Sequence, residues 1–315
     1  MGFMSGTGRT GLFRHRRLIR RPSLRRRDVV GFVLSGGGPL GALQVGGLRA
    51  VFEAGITPHV LCGSSVGALN ATAIAFDPDL LGVERLEQTW TRLAREGLFP
   101  TRRFGFSWAR FLARGDRVFD NTPMRALIKA TVGDRRLEDA RVPIGIVAAE
   151  LNTGAERIFT SGGVMEPLLA STAMPGILPP VRIGDALYID GGVSNNVPIA
   201  PAVDMGATTV YLFDSTARNH ARRPLERPID YMTHAFSLAR SQRSVIEQPV
   251  YEKRIRLIKV PLPGLDFYVP FTSLEHSIRL MEMAYESVSR WLEEAPPGQR
   301  PGISLRAPAA VSSQG

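Results

Sequence analysis

A short apolar run from Val29 to Leu34 ends in glycine, which predicts a buried strand. From Pro39 to Ala54 the apolar residues Leu40, Leu43, Leu48, Val51 and Phe52 can line one face of a helix. Gly41, Gly46 and Gly47 interrupt that helix; they are poor helix formers and mark a close approach of helix to sheet. His59 to Cys62 predicts a second strand and Val66 to Phe76 a second helix. Arg141 to Ala149 and Arg157 to Thr160 flank Asn152-Thr153-Gly154, a hairpin turn. Thr209 to Asp214 and Arg254 to Val260 predict further strands, and Ile229 to Ile246 and Ser273 to Leu292 further helices. Strands that alternate with helices imply an α/β fold, a three-layer α/β/α sandwich with a largely parallel central sheet.

Charge changes this picture only at the start of the chain. The net charge is +10, but residues 1–27 hold nine Arg and no acid, and beyond them 30 basic residues face 29 acidic ones. Residues 1–27, rich in Gly, Ser and Arg, are expected to be a disordered basic arm, because they can bury too little apolar surface to offset ordering entropy. The ordered body is expected over 28–295, and 296–315, rich in Pro, Ala and Ser, as a disordered exit. No internal repeat is visible. Cys62 is the single cysteine, so no intrachain disulfide can form. No apolar run reaches the ~20 residues of a membrane-spanning helix, and no apolar core follows the N-terminal arginines as a signal peptide requires. The expectation is a cytoplasmic protein that touches membranes at most peripherally.

Three glycine-rich stretches carry candidate chemistry. In Gly63-Ser64-Ser65-Val66-Gly67 a serine lies between a strand and a helix with glycine two residues away on either side, the spacing of a nucleophile elbow. The glycines permit a sharp turn, and the helix N-terminus favours developing negative charge on the serine oxygen. Ser35-Gly36-Gly37-Gly38-Pro39-Leu40-Gly41 also joins a strand to a helix. Its glycines expose backbone N–H groups of the kind an acyl-transfer oxyanion needs. Gly36, Gly38 and Gly41 also match a dinucleotide fingerprint, which calls for an acidic residue ending the second strand. That strand is His59-Val60-Leu61-Cys62 and runs straight into the elbow. The third stretch, Tyr188-Ile189-Asp190-Gly191-Gly192, puts an aspartate at a strand end before an exposed turn.

Taken in order, these motifs resemble the signature of patatin-like phospholipases. Ser65–Asn70, Ala170–Gly176, Leu178–Val181 and Asn195–Pro198 also resemble that family, and the likeness runs from about residue 29 to 214. One position departs from it: the family usually has Arg or Lys where this chain has Leu40, which bears on head-group preference or rate. The resemblance implies a Ser65–Asp190 dyad with Gly36, Gly37 and Gly38 as the oxyanion loop and Gly41, Gly63, Gly67, Gly191 and Gly192 as supporting positions. It implies hydrolysis of phospholipid or other acyl esters, in which Asp190 accepts the Ser65 proton and later activates water.

The enzymatic rival is an α/β-hydrolase with a Ser-Asp-His triad, its imidazole drawn from His234 or His276, and a lipid-binding protein with poor catalysis is a third reading. Only one strand precedes the elbow strand, fewer than the α/β-hydrolase fold usually has. No histidine or carboxylate cluster has metal-ligand spacing and no calcium loop is visible, so no cofactor and no metal are expected. Residues 98–119 mix Phe and Trp with Arg, a composition suited to a membrane interface or to ordinary amphipathic packing. The arm has three readings, a solvated tail, a contact for anionic membrane and a contact for nucleic acid; lipid chemistry favours the membrane over the last, so no nucleic acid is expected, and the sequence sets no oligomeric state.

Overall fold

The computed structural model describes residues 28–98, 120–216, 228–270 and 273–294. The expectations for 1–27, 99–119 and 296–315 lie outside those residues. Among the described residues the sheet has eight strands: β1 (Val30–Leu34), β2 (Val60–Ser64), β3 (Ile144–Glu150), β4 (Glu156–Phe159), β5 (Val181–Ile183), β6 (Ala186–Asp190), β7 (Thr209–Phe213) and β8 (Arg256–Lys259). β8, β7, β1, β2 and β3 run parallel; β4, β6 and β5 complete the sheet in antiparallel pairings.

Register on β3 decides where the chemistry can lie. Val147 pairs with both Ser64 of β2 and Ile158 of β4, and Ala148 pairs with both Asp190 of β6 and Arg157 of β4. A strand has two hydrogen-bonding edges. β4 therefore occupies one edge of β3, while β2 and β6 share the other, one beyond the other. β2 runs parallel to β3 and β6 antiparallel, so their C-terminal ends meet. Ser64 and Asp190 are the residues at that meeting point.

Eight helices are described: α1 (Gly41–Glu53), α2 (Val66–Phe76), α3 (Leu80–Glu96), α4 (Thr122–Val132), α5 (Met165–Ser171), α6 (Ile199–Asp204), α7 (Pro228–Glu252) and α8 (Ser277–Glu294). Strand residues alternate between two faces, as the period of two requires. Phe32, Leu34, Leu61, Tyr211 and Phe213 face one large core with α1, α2, α3, α4, α5 and α8. Val33, Val60, Cys62, Val210 and Leu212 face a smaller core closed by α6 and by Tyr251 of α7. The result is the expected three-layer arrangement with unequal layers.

Several boundaries differ from expectation. The first helix opens as a 3-10 turn over Gly38–Leu40, because Pro39 at its start and Gly38 at φ 57° shape a tight entry. α7 continues to Glu252 through Pro249, which removes one backbone donor but leaves the turns on either side intact. The strand expected over 254–260 is confined to Arg256–Lys259, and the last helix starts at Ser277. α3 is an addition: Val83, Leu86, Trp90 and Leu93 are its buried stripe, and the Asp79 carboxylate caps it by accepting from the Gly82 N–H at 2.9 Å. Among the described residues, no helix is long and apolar enough to cross a membrane.

Candidate active site

Ser65 is the single residue between β2 and α2. Its φ of 54° and ψ of −129° make it the one described non-glycine residue with positive φ. This strain is stored in the turn and held by close packing on both sides. A Cβ on Gly63 would lie 2.5 Å from the Gly67 carbonyl oxygen and 2.6 Å from the Ala68 Cα; a Cβ on Gly67 would run into the carbonyl oxygens of Leu34 and Ser35. Neither position has room for a side chain. The Ser65 N–H donates to Ser171 Oγ at 2.8 Å, anchoring the elbow to the end of α5.

Ser65 Oγ donates to Asp190 Oδ2 at 2.6 Å. Asp190 is 3% exposed, and its Oδ1 accepts from the Gly192 N–H at 2.7 Å. Its backbone N–H donates to the Ala173 carbonyl at 3.0 Å, so β6 is tied to the segment after α5 as well as to β3. Burial pushes the Asp190 carboxyl above the ordinary carboxylate range; the bonds from Ser65 and Gly192 and the charge of Arg240 oppose that rise. Gly191 sits against the Val147 carbonyl and Ser64 Oγ, with room for no Cβ, so the turn after Asp190 presses onto β3 and onto the end of β2.

The glycine loop is bound to both halves of this pair. The Gly36 N–H donates to the Asn196 carbonyl at 3.1 Å, and Asn196 Nδ2 returns a bond to the Gly36 carbonyl at 3.4 Å. That amide is thus engaged within the protein, whereas the Gly37 and Gly38 N–H groups meet no acceptor among the described residues. A Cβ on Gly36 would lie 3.1 Å from the Ser65 Cβ, which places the loop directly over the serine. Beneath it runs a buried polar chain. Gln44 Nε2 donates to the Ser35 carbonyl at 2.7 Å, Asn70 Nδ2 donates to Gln44 Oε1 and to the Gly41 carbonyl at 3.0 Å each, and Trp90 Nε1 donates to Asn70 Oδ1 at 3.0 Å. Gln44 and Asn70 are fully buried, and this chain fixes the loop to α1, α2 and α3. Gly41 takes part through its carbonyl and through close contact with Val66, where a Cβ would lie 2.6 Å from Cγ2. Leu40 is 7% exposed and belongs to the large core.

An apolar cavity of ≈ 80 Å³ opens beside Ser65 and Gly38. Trp90 and Leu93 of α3, Met124 and Leu127 of α4 and Met174 supply much of its wall. Such a lining suits a hydrocarbon chain attached to a group held at Ser65.

Sequence reasoning missed the residues that hold the aspartate side. Arg243 of α7 donates through Nη1 to the Ser194 carbonyl at 2.6 Å and pairs with Glu156 at 2.9 Å; Asn195 Nδ2 donates to the same carboxylate at 3.0 Å. Three residues earlier in the helix, Arg240 is close enough to Asp190 and Asp214 for their charges to act on it. Asn195 and Asn196 lay in a stretch already singled out, and the Asn196 role follows from its pairing with the glycine loop. Neither His234 nor His276 bonds to Ser65 or Asp190, and His276 lies 3.3 Å from Glu275, so among the described residues neither completes a triad. Among the described residues no group of three or more His, Cys, Asp or Glu is placed to hold a metal ion. Cys62 is buried, and its thiol is pushed up to about 12 by burial.

A mostly parallel α/β sheet, with a strained serine and a strand-end aspartate meeting on one strand edge, defines the class of protein. The family model for patatin-like phospholipase matches residues 32–203, more than half of the chain, and the chain belongs to that family. It is 28% identical over 199 residues to patatin-like phospholipase domain-containing protein 7 of Rattus norvegicus, covering 61% of this chain and 14% of that one. It is also 28% identical over 193 residues to lysophospholipase NTE1 of Phaeosphaeria nodorum, covering 59% of this chain and 12% of that protein. The chain thus spans between 12% and 14% of the length of these curated relatives. The solved structure of VipD from Legionella pneumophila is similar at a TM-score of 0.46 and 14% identity, over 84% of this chain and 67% of that one.

Proposed function

We propose that this chain is a lipid acyl hydrolase that cleaves carboxylic esters through Ser65 and Asp190. As Ser65 Oγ attacks the ester carbonyl carbon, its proton passes to Asp190 Oδ2. The carbonyl oxygen becomes an oxyanion facing the Gly37 and Gly38 N–H groups. The intermediate collapses with loss of the alcohol, which takes the proton from Asp190, and the acyl group stays on Ser65. Water then attacks this acyl-enzyme, giving its proton to Asp190; the acid departs as Ser65 regains the proton. The acyl chain lies in the cavity between α3 and α4. Phospholipids and lysophospholipids are the substrate class, consistent with the names of the family and of its relatives.

The observation that carries this reading is the 2.6 Å bond from Ser65 Oγ to Asp190 Oδ2 at a strained elbow. The test is a hydrolysis panel of p-nitrophenyl esters and phospholipids, with wild type compared with Ser65→Ala. Wild type should hydrolyse several of them, and Ser65→Ala should lose hydrolysis and labelling by a fluorophosphonate while keeping its circular dichroism. Wild-type protein that binds lipid but turns over no ester would make it a lipid-binding protein instead. Hydrolysis that persists in Ser65→Ala would remove the nucleophile assignment.

A further inference from the structure

We propose that Arg240 is a positioning residue for this reaction, acting from α7 to hold the Asp190 carboxylate in its ionised, proton-accepting form. The inference rests on the dyad reading above. One point fixes the geometry. A Cβ on Gly192 would lie 3.0 Å from Asp190 Oδ1 and 3.7 Å from Arg240 Cδ, so the arginine stem and the carboxylate flank the same glycine. Arg243 sets the register of the helix there by binding the Ser194 carbonyl and Glu156, and Arg240, three residues away, lies on the same helix face. Among the described residues Arg240 Nε is buried and meets no hydrogen-bond partner, and the guanidinium lies over Phe236 at 5.8 Å. The half-buried side chain thus carries its Nε into the protein with no acceptor there. What it finds there is charge: Asp190 and Asp214 both act on it.

Two carboxylates beside one guanidinium argue against a receptor for phosphate, which they would repel, and for a counter-charge. Asp190 has lost most of its hydration, and a buried carboxylate with too little compensation takes up a proton and ceases to be a base. The hydrogen bonds from Ser65 and Gly192 supply part of the compensation, and the Arg240 charge supplies a further part. The other charged groups of the neighbourhood are Asp214 after β7, Glu156 on β4, and Arg243 and Glu247 on α7. Arg243 pairs with both of those glutamates, and among the described residues Arg240 is the cation whose charge acts on Asp190.

The experiment measures kcat/KM against pH on a soluble short-chain p-nitrophenyl ester, for wild type, Ser65→Ala, Arg240→Gln and Arg240→Lys. Activity falls as pH drops through the Asp190 pKa, because only the ionised form accepts the serine proton. Without Arg240 that pKa rises, so the acid limb of Arg240→Gln should move up by about one pH unit. The variant should therefore lose about tenfold at a pH on the wild-type limb and recover at higher pH. Arg240→Lys should move the limb back. An unmoved limb in folded Arg240→Gln overturns the inference. Should that variant not fold, Asp214→Asn gives the opposite test: it frees Arg240 from its second carboxylate and should lower the limb, and a limb that stays or rises overturns the inference. Full hydrolysis by Ser65→Ala would remove the dyad itself, whereas an inactive Ser65→Ala beside an unmoved Arg240→Gln limb removes only the role of Arg240.

Discussion

Ser65 owes its turn to residues beside it in the chain: Gly63 and Gly67 close it and α2 begins at the next residue, while Ser171 Oγ and the Gln44–Asn70–Trp90 chain brace it from farther away. Asp190 depends on distant residues: β3 for its strand pairing, Ala173 for its backbone N–H and α7 for the arginines behind its loop. The conformation of one half of the site is thus set locally, on the thick side of the sheet, and the other half is assembled from long-range contacts with the thin side contributing. The local half stores strain and so needs rigid packing. On the proposed mechanism the distant half carries the group whose charge state decides turnover and so needs electrostatic control.

Substitutions on the two halves should behave differently. The largest effect is expected for Asp190→Asn, which keeps the size and the Gly192 bond but cannot take a proton. Turnover should fall by about 10³-fold with little change in melting temperature; retention of more than a tenth of wild-type kcat would show that the aspartate is not the base. On the serine half, Asn70→Ala leaves the Trp90 N–H and Gln44 Oε1 buried without a partner. Each unsatisfied group costs about 1–3 kcal/mol, so thermal unfolding should shift by several degrees while the surviving folded protein retains its pH profile. A Tm equal to wild type would mean that the buried chain is not what stiffens the loop.

Smaller changes sharpen the contrast. Arg243→Gln should loosen α7 from the Ser194 carbonyl and Glu156, lowering kcat about tenfold with only a minor loss of stability, because the pair is partly exposed and screened. A large Tm loss with unchanged kcat would make Arg243 a structural contact only. His234→Ala and His276→Ala should each leave kcat/KM within about twofold, since neither ring touches the pair. A hundredfold loss in either folded variant would restore an imidazole to the mechanism.

This division also explains what the sequence made legible. The layer architecture was readable because the strands β1, β2 and β7 are short apolar runs between glycines and helices. The elbow and the glycine loop were readable because their constraints act within a few residues, and Gly63 and Gly67 have no room for a side chain. The stripe of α3 and its Asp79 cap are also present in the sequence, yet went unread beside stronger glycine signals. That β2 and β6 share one edge of β3 was not readable, because register is a property of three strands together. Nor was the engagement of the Gly36 N–H by Asn196, which leaves two of the three glycine amides free, or the approach of Arg240. An arginine on a helix otherwise bearing Tyr231, Leu238 and Val245 on its exposed side gives no sign of facing a buried carboxylate.

The meeting of β2 and β6 on a single edge of β3 has a consequence for folding kinetics. Ser65 Oγ and Asp190 Oδ2 are separated by 125 residues of chain, and their contact requires β3 to be paired with β2 along one part of its edge and with β6 along the rest. Such non-local pairings carry a loop-closure cost and form late compared with helices and adjacent strands. A chain in which β1, α1, β2 and α2 have already condensed has its serine on a formed elbow with the proposed base, Asp190, not yet within reach. During refolding from denaturant, ester turnover therefore should lag behind the recovery of helical circular dichroism, and the appearance of activity times the closing of that last edge.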